Sequence, residues 1–494
     1  MNPFIGVGMK GLDAVRRAVD DAEVETITCV PGYPITETAE AVGAEVSLNE
    51  KVALEIALGA SATGSRAMVL TKQLGMNLLA DPLVISATHT IGSGLVVLVG
   101  DDLGPKGSQA EMDSRAFGQL AKLPVLDPRD PAALYSSLIE AYSLSESLRI
   151  PVIVRVTPRL LSASGSLLQP APFRGSGQGY ERVSWNLTVK GRHQRHHSEV
   201  LPLAEAASEA SPLNRVLISP EAKTGIIASG FPASQAEGLG ASLLSVAYVY
   251  PLPWRLIRKF IDRHSRILVA EEPEPFIESQ LRMEPKVRGK LSGHLPYGLL
   301  ERSDLIRGLE EVPETHMACE AGRYESIAER GYTGICEDCP FIPLYRALAK
   351  LDVPVAGDAG CVIRTTREPY ESVDLVYGLG SAVGVASGFR SKGVAVIGDF
   401  GLAHSGLQAL INAVWRKQEV FVVLLKNGVA AMTGGQEAPD LTKLIEALAP
   451  TSHIRLPAQE GDVEEALRAG LARPGVTVLV AEGRCMRADA GLRD

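Results

Sequence analysis

The sequence predicts an α/β protein of three doubly wound domains with mostly parallel sheets. Three observations point there. Short apolar runs alternate with amphipathic stretches over residues 1–160, over 214–310 and from 333 onward. Glycine is abundant at 48 residues while aromatics make up 5%, a balance that suits many tight strand-to-helix turns. The length of 494 residues exceeds the roughly 250–300 at which one core stops growing.

In the first domain, residues 1–161, the strands are expected at Glu25 to Val30, Ala67 to Leu70, Leu95 to Val99 and Pro151 to Val156. Helices are expected at Leu12 to Val19, Lys51 to Ala62 and Ala132 to Ala141. Strand and helix in turn imply a parallel sheet covered on both faces. Residues 162–213 read as a linker rich in Ser, Gly, Gln and Pro, with a basic cluster at Lys190, Arg192, His193, Arg195, His196 and His197. Its three histidines could bind a metal, but nothing orients them. Residues 214–310 form a smaller α/β domain. Strands at Thr224 to Ser229 and Arg266 to Ala270 flank a helix at Trp254 to Arg263, and Glu271, Glu272 and Glu274 read as an acidic strand-end loop. Residues 311–332 are a charged connector and 333–494 the last α/β domain.

The net charge of −9 favours solubility and argues against a nucleic-acid partner, which would want a basic footprint. No segment approaches the roughly 20 apolar residues of a membrane span. The N-terminus lacks a basic region followed by an apolar stretch, so the expected compartment is the cytoplasm. The six cysteines are Cys29, Cys319, Cys336, Cys339, Cys361 and Cys485; in a long cytosolic chain they are metal ligands, cluster ligands or plain buried thiols.

The best local evidence for chemistry lies in residues 393–429. Val394 to Ile397 is a strand candidate ending in Gly398-Asp399. His404 to Lys417 carries apolar residues at Leu407, Leu410, Ile411 and Val414, the spacing of a helix packed on a sheet. Val420 to Leu425 is a second strand, ending in Lys426-Asn427-Gly428. Such a βαβ unit puts Asp399 and Asn427 at the carboxyl ends of two parallel strands, the edge where open α/β sheets bind ligands. Magnesium wants hard oxygen ligands, few from protein and the rest from phosphate and water. Asp399, Asn427 and the Val429 carbonyl suit that role. Gly378, Gly380, Gly384 and Gly388 recur nearby, and glycines at a helix start let backbone N–H groups approach a phosphate. Close helix packing would also explain the glycines, and ordinary strand-end turns would also explain the Asp and Asn.

The wider sequence resembles the 2-oxoacid:ferredoxin oxidoreductase superfamily, most closely its indolepyruvate-type alpha subunits. In the last domain the resemblance rests on Cys336-Glu337-Asp338-Cys339-Pro340, Gly357-Asp358-Ala359-Gly360-Cys361, Gly398-Asp399, His404-Ser405-Gly406 and Ala431-Met432-Thr433-Gly434. In the first it rests on Pro31-Gly32-Tyr33-Pro34, Asn49 to Glu55, Asp81-Pro82-Leu83, Asp101-Asp102, Ser108-Gln109, Asp113-Ser114-Arg115 and Ala121 to Pro124. The middle domain adds Tyr250 to Pro253 and Glu271-Glu272.

The resemblance implies that the first domain binds the pyrimidine of thiamine diphosphate and the last its diphosphate, with residues 214–310 a transketolase C-terminal-like domain. Glu50 falls at the activating glutamate, which hydrogen-bonds the pyrimidine N1′ so that the ring can take the proton from thiazolium C2; from its position alone Glu50 is an acidic residue at a helix N-terminus. His404 is implied in catalysis. Gly32, Gly378, Gly380, Gly398, Asp399, Asn427, Val429 and Met432 are implied at the cofactor, with magnesium on Asp399, Asn427 and Val429. By itself Cys336-x-x-Cys339 suits zinc or redox chemistry as well as a cluster. The resemblance implies that it holds one [4Fe–4S] cluster with Cys361 and Cys485, four thiolates being the right count. Cys29 and Cys319 read as structural thiols.

The implied activity is oxidative decarboxylation of a 2-oxo acid, an arylpyruvate such as indolepyruvate, to an acyl-CoA. The implied partners are a small beta-type subunit and ferredoxin or another iron–sulfur protein, in a homo- or hetero-oligomer. Three departures bear on this. The chain ends without the family's ferredoxin-like domain. Tyr33 stands where related enzymes carry a substrate-facing threonine. Phe341-Ile342 follows Pro340 where the family tends to have His-Arg. A non-oxidative thiamine-dependent 2-oxo acid decarboxylase, or a non-catalytic subunit of a larger complex, are the alternatives.

Overall fold

The structure is a computed structural model describing residues 9–105, 107–165, 173, 175, 177–181, 186–310 and 334–486. Cys319 and the connector therefore lie outside the described residues. The chain divides into two units, Met1–Tyr324 and Glu325–Asp494.

The strands of the first unit are β1 (Met9–Lys10), β2 (Thr26–Cys29), β3 (Glu45–Val46), β4 (Ala67–Lys72), β5 (Leu95–Gly100), β6 (Val125–Leu126), β7 (Val152–Val156), β8 (Ser164–Gly165), β9 (Arg215–Leu217), β10 (Thr224–Ala228), β11 (Ser242–Ser245), β12 (Tyr248–Tyr250), β13 (Arg266–Ala270) and β14 (Val287–Arg288). They form a seven-stranded sheet in the order β12-β6-β7-β5-β4-β2-β3 and a five-stranded sheet in the order β14-β13-β10-β11-β9. Within these two sheets all neighbours are parallel except β12 on β6 and β9 on β11, while β1 and β8 pair with each other as a separate antiparallel ribbon. The alternation of a strand explains the layers: Met68, Leu70, Val96 and Leu98 point into one core, Ala67, Val69, Leu95 and Val97 into the other. That second core runs on through Ile227, Leu244 and Val269 of the five-stranded sheet, so the two sheets share apolar packing.

Between them lies a buried ionic network. Arg115 pairs with Asp113 at 2.6 Å and with Glu271 at 2.8 Å. Arg155 pairs with Asp101 at 2.6 Å and with Asp127 at 3.1 Å, and Arg159 with Glu272 at 3.0 Å. Glu271 and Glu272 follow β13 in the expected acidic strand-end loop, but both are almost fully buried, because Arg115 and Arg159, from the helices Arg115–Ala121 and Pro158–Ser162, meet them there. Glu274 alone is exposed. The stretch read as an exposed linker also differs. Thr188 accepts the Gly191 N–H and starts a helix, Val189–Arg195, that runs on into His196–Val200. His196 is buried with Nε2 3.2 Å from the Lys122 carbonyl. Cys29 is buried, which pushes its thiol up to about 11.

The second unit holds one six-stranded sheet, all parallel, made of β15 (Val355–Gly357), β16 (Leu375–Val376), β17 (Gly393–Gly398), β18 (Val420–Lys426), β19 (Thr451–Arg455) and β20 (Val476–Glu482). Its order is β16-β15-β17-β18-β20-β19. Val394, Val396, Phe421 and Val423 face one core with Leu344, Val463 and Leu467; Ala395, Ile397, Val422 and Leu424 face the other with Val383, Leu410 and Ile445. Both faces are covered by helices, as a parallel sheet requires. Among the described residues no helix is long and apolar enough to cross a membrane.

Candidate active site

In the second unit, β17 pairs with β18 in the register Gly398↔Leu425, which places Asp399 and Asn427 just past neighbouring parallel strand ends. Asp399 is 7% exposed. Its Oδ1 accepts the Phe400 N–H at 2.8 Å, and its Oδ2 accepts those of Asn427 at 2.9 Å and Gly428 at 2.6 Å. Burial raises its pKa and these N–H groups oppose the rise. Asn427 Oδ1 accepts the Val429 N–H at 3.0 Å. Gly428 makes the turn possible, with φ +79. A carboxylate and an amide oxygen are thus fixed side by side, each with lone pairs to spare. A side chain at Gly378, Gly398 or Gly428 would meet no atom within 4 Å, so space for a ligand lies beside them. This donor set fits a magnesium ion that takes its other ligands from phosphate and water.

Asp358, just past β15, carries no expected role from the sequence, yet it organises the glycine loop. Its Oδ1 accepts the N–H groups of Gly380 at 2.6 Å and Ser381 at 3.0 Å. Burial pushes its pKa up to about 7 against those hydrogen bonds. Gly401 lets it in, since a Cβ there would lie 2.1 Å from Asp358 Oδ2. Gly380 (φ +84) lies against Ser405, whose hydroxyl donates to the Leu379 carbonyl at 2.8 Å. The Gly378 N–H goes to Ser381 Oγ at 3.0 Å. Here both glycine N–H groups have internal acceptors. The signal that could have found Asp358 was an acid at the same strand end as Gly398-Asp399, one sheet position away. His404 is buried, with Nδ1 3.1 Å from Ser405 Oγ; Met432 is 41% exposed.

The four expected cluster cysteines are outside any disulfide among the described residues, and each is partly exposed. Cys336 and Cys339 share a turn closed by Cys339 N–H on the Cys336 carbonyl at 3.1 Å. Cys361 opens the short helix Cys361–Thr365. Gly483 packs on Pro340, bringing the Cys485 segment to the Cys339 turn. Burial pushes the Cys339 thiol up to about 12, and Cys361, Cys336 and Cys485 each push it further. The other three thus lie within electrostatic reach of Cys339. Among the described residues no three His, Cys, Asp or Glu converge on a single ion. A cubane asks for less convergence, because each thiolate binds a different iron.

In the first unit, Glu50 opens the helix Glu50–Ala62, which is capped by Asn49 accepting the Val52 N–H at 2.9 Å. Glu50 is buried against Gly75, where a Cβ would lie 2.4 Å from its Oε1. Gly32 packs on the Lys72 stem, with 2.9 Å from an added Cβ to Lys72 Cδ. Tyr33 is 40% exposed.

Residues 358–481, the segment holding Asp358, Asp399 and Asn427, match the family model described as "Thiamine pyrophosphate enzyme, C-terminal TPP binding domain". Over the whole chain the similarity is to one group of oxidoreductase subunits. The subunit IorA of indolepyruvate oxidoreductase from Methanothermobacter thermautotrophicus is 30% identical, covering 98% of this chain and 87% of that protein. The IorA of Methanothermobacter marburgensis is 32% identical over 87% of this chain and 76% of its own. That of Archaeoglobus fulgidus is 31% identical over 88% and 76%. The chain belongs to the family of indolepyruvate oxidoreductase subunit IorA.

Proposed function

We propose that this chain is the thiamine-diphosphate subunit of an enzyme that decarboxylates a 2-oxo acid oxidatively, yielding an acyl-CoA, CO₂ and two electrons. The substrate class is arylpyruvate, as in indolepyruvate, which the names of its relatives support. The observation that carries the proposal is the Asp399–Asn427 pair, hydrogen-bonded at adjacent strand ends inside the segment matched to a thiamine pyrophosphate domain.

Bound thiamine diphosphate would supply a carbon nucleophile that can hold the electrons left when CO₂ departs. Asp399, Asn427 and the Val429 carbonyl would hold the magnesium, and Gly378, Gly380, Gly398 and Met432 would surround the cofactor. Residues 333–494 are the diphosphate-binding domain, residues 1–161 the pyrimidine-binding domain and 214–310 the transketolase C-terminal-like domain, separated by the 162–213 linker and the 311–332 connector. Glu50 donates its carboxyl hydrogen bond to the pyrimidine, and Gly32 lines that end. His404 moves a proton near the reacting centre. Cys336, Cys339, Cys361 and Cys485 would hold one [4Fe–4S] cluster, which would supply a route for electrons to ferredoxin or a similar protein. A small beta-type subunit completes the enzyme in the cytoplasm.

The test is a viologen-reduction screen of 2-oxo acids with CoA, using the anaerobic complex with its co-purifying partner. Reduction dependent on an arylpyruvate and on CoA is the expected result. Aldehyde release without any acceptor would instead favour a non-oxidative decarboxylase.

A further inference from the structure

Lys72 is a half-buried cation that the chemistry above does not use. It is the last residue of β4, at the carboxyl edge of the seven-stranded sheet, paired in register with Gly100 of β5. Its stem is pinned by Gly32, which has no Cβ to displace it. Glu50 and Asp102 flank it closely enough to favour its charge, against burial, which lowers its pKa. Asp102 is engaged elsewhere: its Oδ2 accepts the Gly107 N–H at 3.0 Å and its own N–H goes to Gln73 Oε1 at 3.2 Å. Tyr33, one residue from Gly32, borders the same spot, with Asp102 acting on its phenol.

A partly buried ammonium at the carboxyl edge of a parallel sheet is placed to give a charge-assisted hydrogen bond to an anion bound there. Glu50 and Asp102 act on Lys72 through their charge and favour its protonated form, the form that can donate to the oxygens of a bound anion. Glu50, which shares the surroundings of Gly75 with Thr71, the residue before Lys72, is the group that the proposed function places at the cofactor. We propose that Lys72 is the anchor for the carboxylate of the 2-oxo acid, donating a charge-assisted hydrogen bond to it before the carbon–carbon bond breaks. This rests on the proposed function and deepens it by assigning a residue to substrate recognition. The phosphates of CoA share the same anionic chemistry, and the experiment separates the two sources.

The test uses the whole complex, loaded with thiamine diphosphate, and compares wild type with K72M and K72R by viologen reduction. KM for the 2-oxo acid should rise in K72M by about tenfold to a hundredfold, the loss of one hydrogen bond to a charged group. K72R should recover part of that loss. KM for CoA and the affinity for thiamine diphosphate should stay within twofold. A second readout needs no kinetics: wild type should bind the 2-oxo acid at least tenfold more tightly than its methyl ester, and K72M should bind both alike. An unchanged KM for the 2-oxo acid, or a rise confined to CoA, would overturn the assignment while leaving the proposed function intact. Wild type that binds thiamine diphosphate but turns over no 2-oxo acid would remove both.

Discussion

Asp399 and Gly428 are joined across two strand ends by a 2.6 Å hydrogen bond from the glycine N–H to the carboxylate Oδ2. The contact fixes the turn after β18 to the end of β17, and so sets where Asn427 and the Val429 carbonyl can point. Asp399→Asn keeps an acceptor oxygen but removes the charge that a divalent ion needs. The amide nitrogen then faces a backbone N–H that the carboxylate had accepted, so thermal stability should fall modestly, while the affinity for thiamine diphosphate in magnesium should fall at least about tenfold, the worth of one charge-assisted contact. Calorimetric titration of the two proteins checks this.

Asp358 makes the stability of the second unit depend on pH. Its folded pKa of about 7 lies above the ordinary carboxyl value of 3.8, so between those values the folded protein holds a proton that the unfolded chain has lost. Stability from this group is therefore full below about pH 3.8 and is lost as pH rises through 7. Asp358→Asn still offers an oxygen to Gly380 and Ser381 and has no proton to lose. Melting temperatures from pH 5.5 to 8 should fall more steeply for wild type than for the variant.

The strand positions and the Asp399–Asn427 pair were legible because each is local. β4, β5, β10, β13, β17 and β18 are apolar runs bounded by turn residues, and the paired site residues follow two of them directly. Glu271 was not legible in the same way. Its partner Arg115 is 156 positions away, and an acid after a strand has the same local pattern whether it meets solvent or a buried guanidinium. Asp358 sat inside a quoted motif, but its acceptor role depends on a loop 22 residues on. The edge strand Tyr248–Tyr250 came from outside the segment expected to form that sheet, since edge pairing leaves no mark in periodicity. In the presumed linker, composition outweighed the Thr188 cap.

Arg115 is wholly buried between Asp113 and Glu271. Arg115→Met leaves two buried carboxylates without their cation, a loss of about 3–5 kcal/mol. Chemical denaturation should show the transition of the first unit moving to lower denaturant. Lys51→Ala, which breaks the surface pairs of Lys51 with Glu55 and Asp81, should leave that transition nearly unmoved, since water screens exposed charges.

The cysteines divide by place. Cys336, Cys339, Cys361 and Cys485 should bind about four irons per chain, the content of one cubane, in protein purified without oxygen. Cys339→Ser should lower iron content and the visible absorption of the cluster, while Cys29→Ser, at a buried site far from any other thiol's influence, should leave both unchanged. Iron analysis beside the absorption spectrum reads the difference.

The most direct measurement is the thiamine diphosphate content of the anaerobically purified complex, before and after removal of magnesium with a chelator. One cofactor per chain, released by the chelator and restored by magnesium, is the expected result. A wild-type complex that neither carries thiamine diphosphate nor takes it up in the presence of magnesium would contradict the account at its centre.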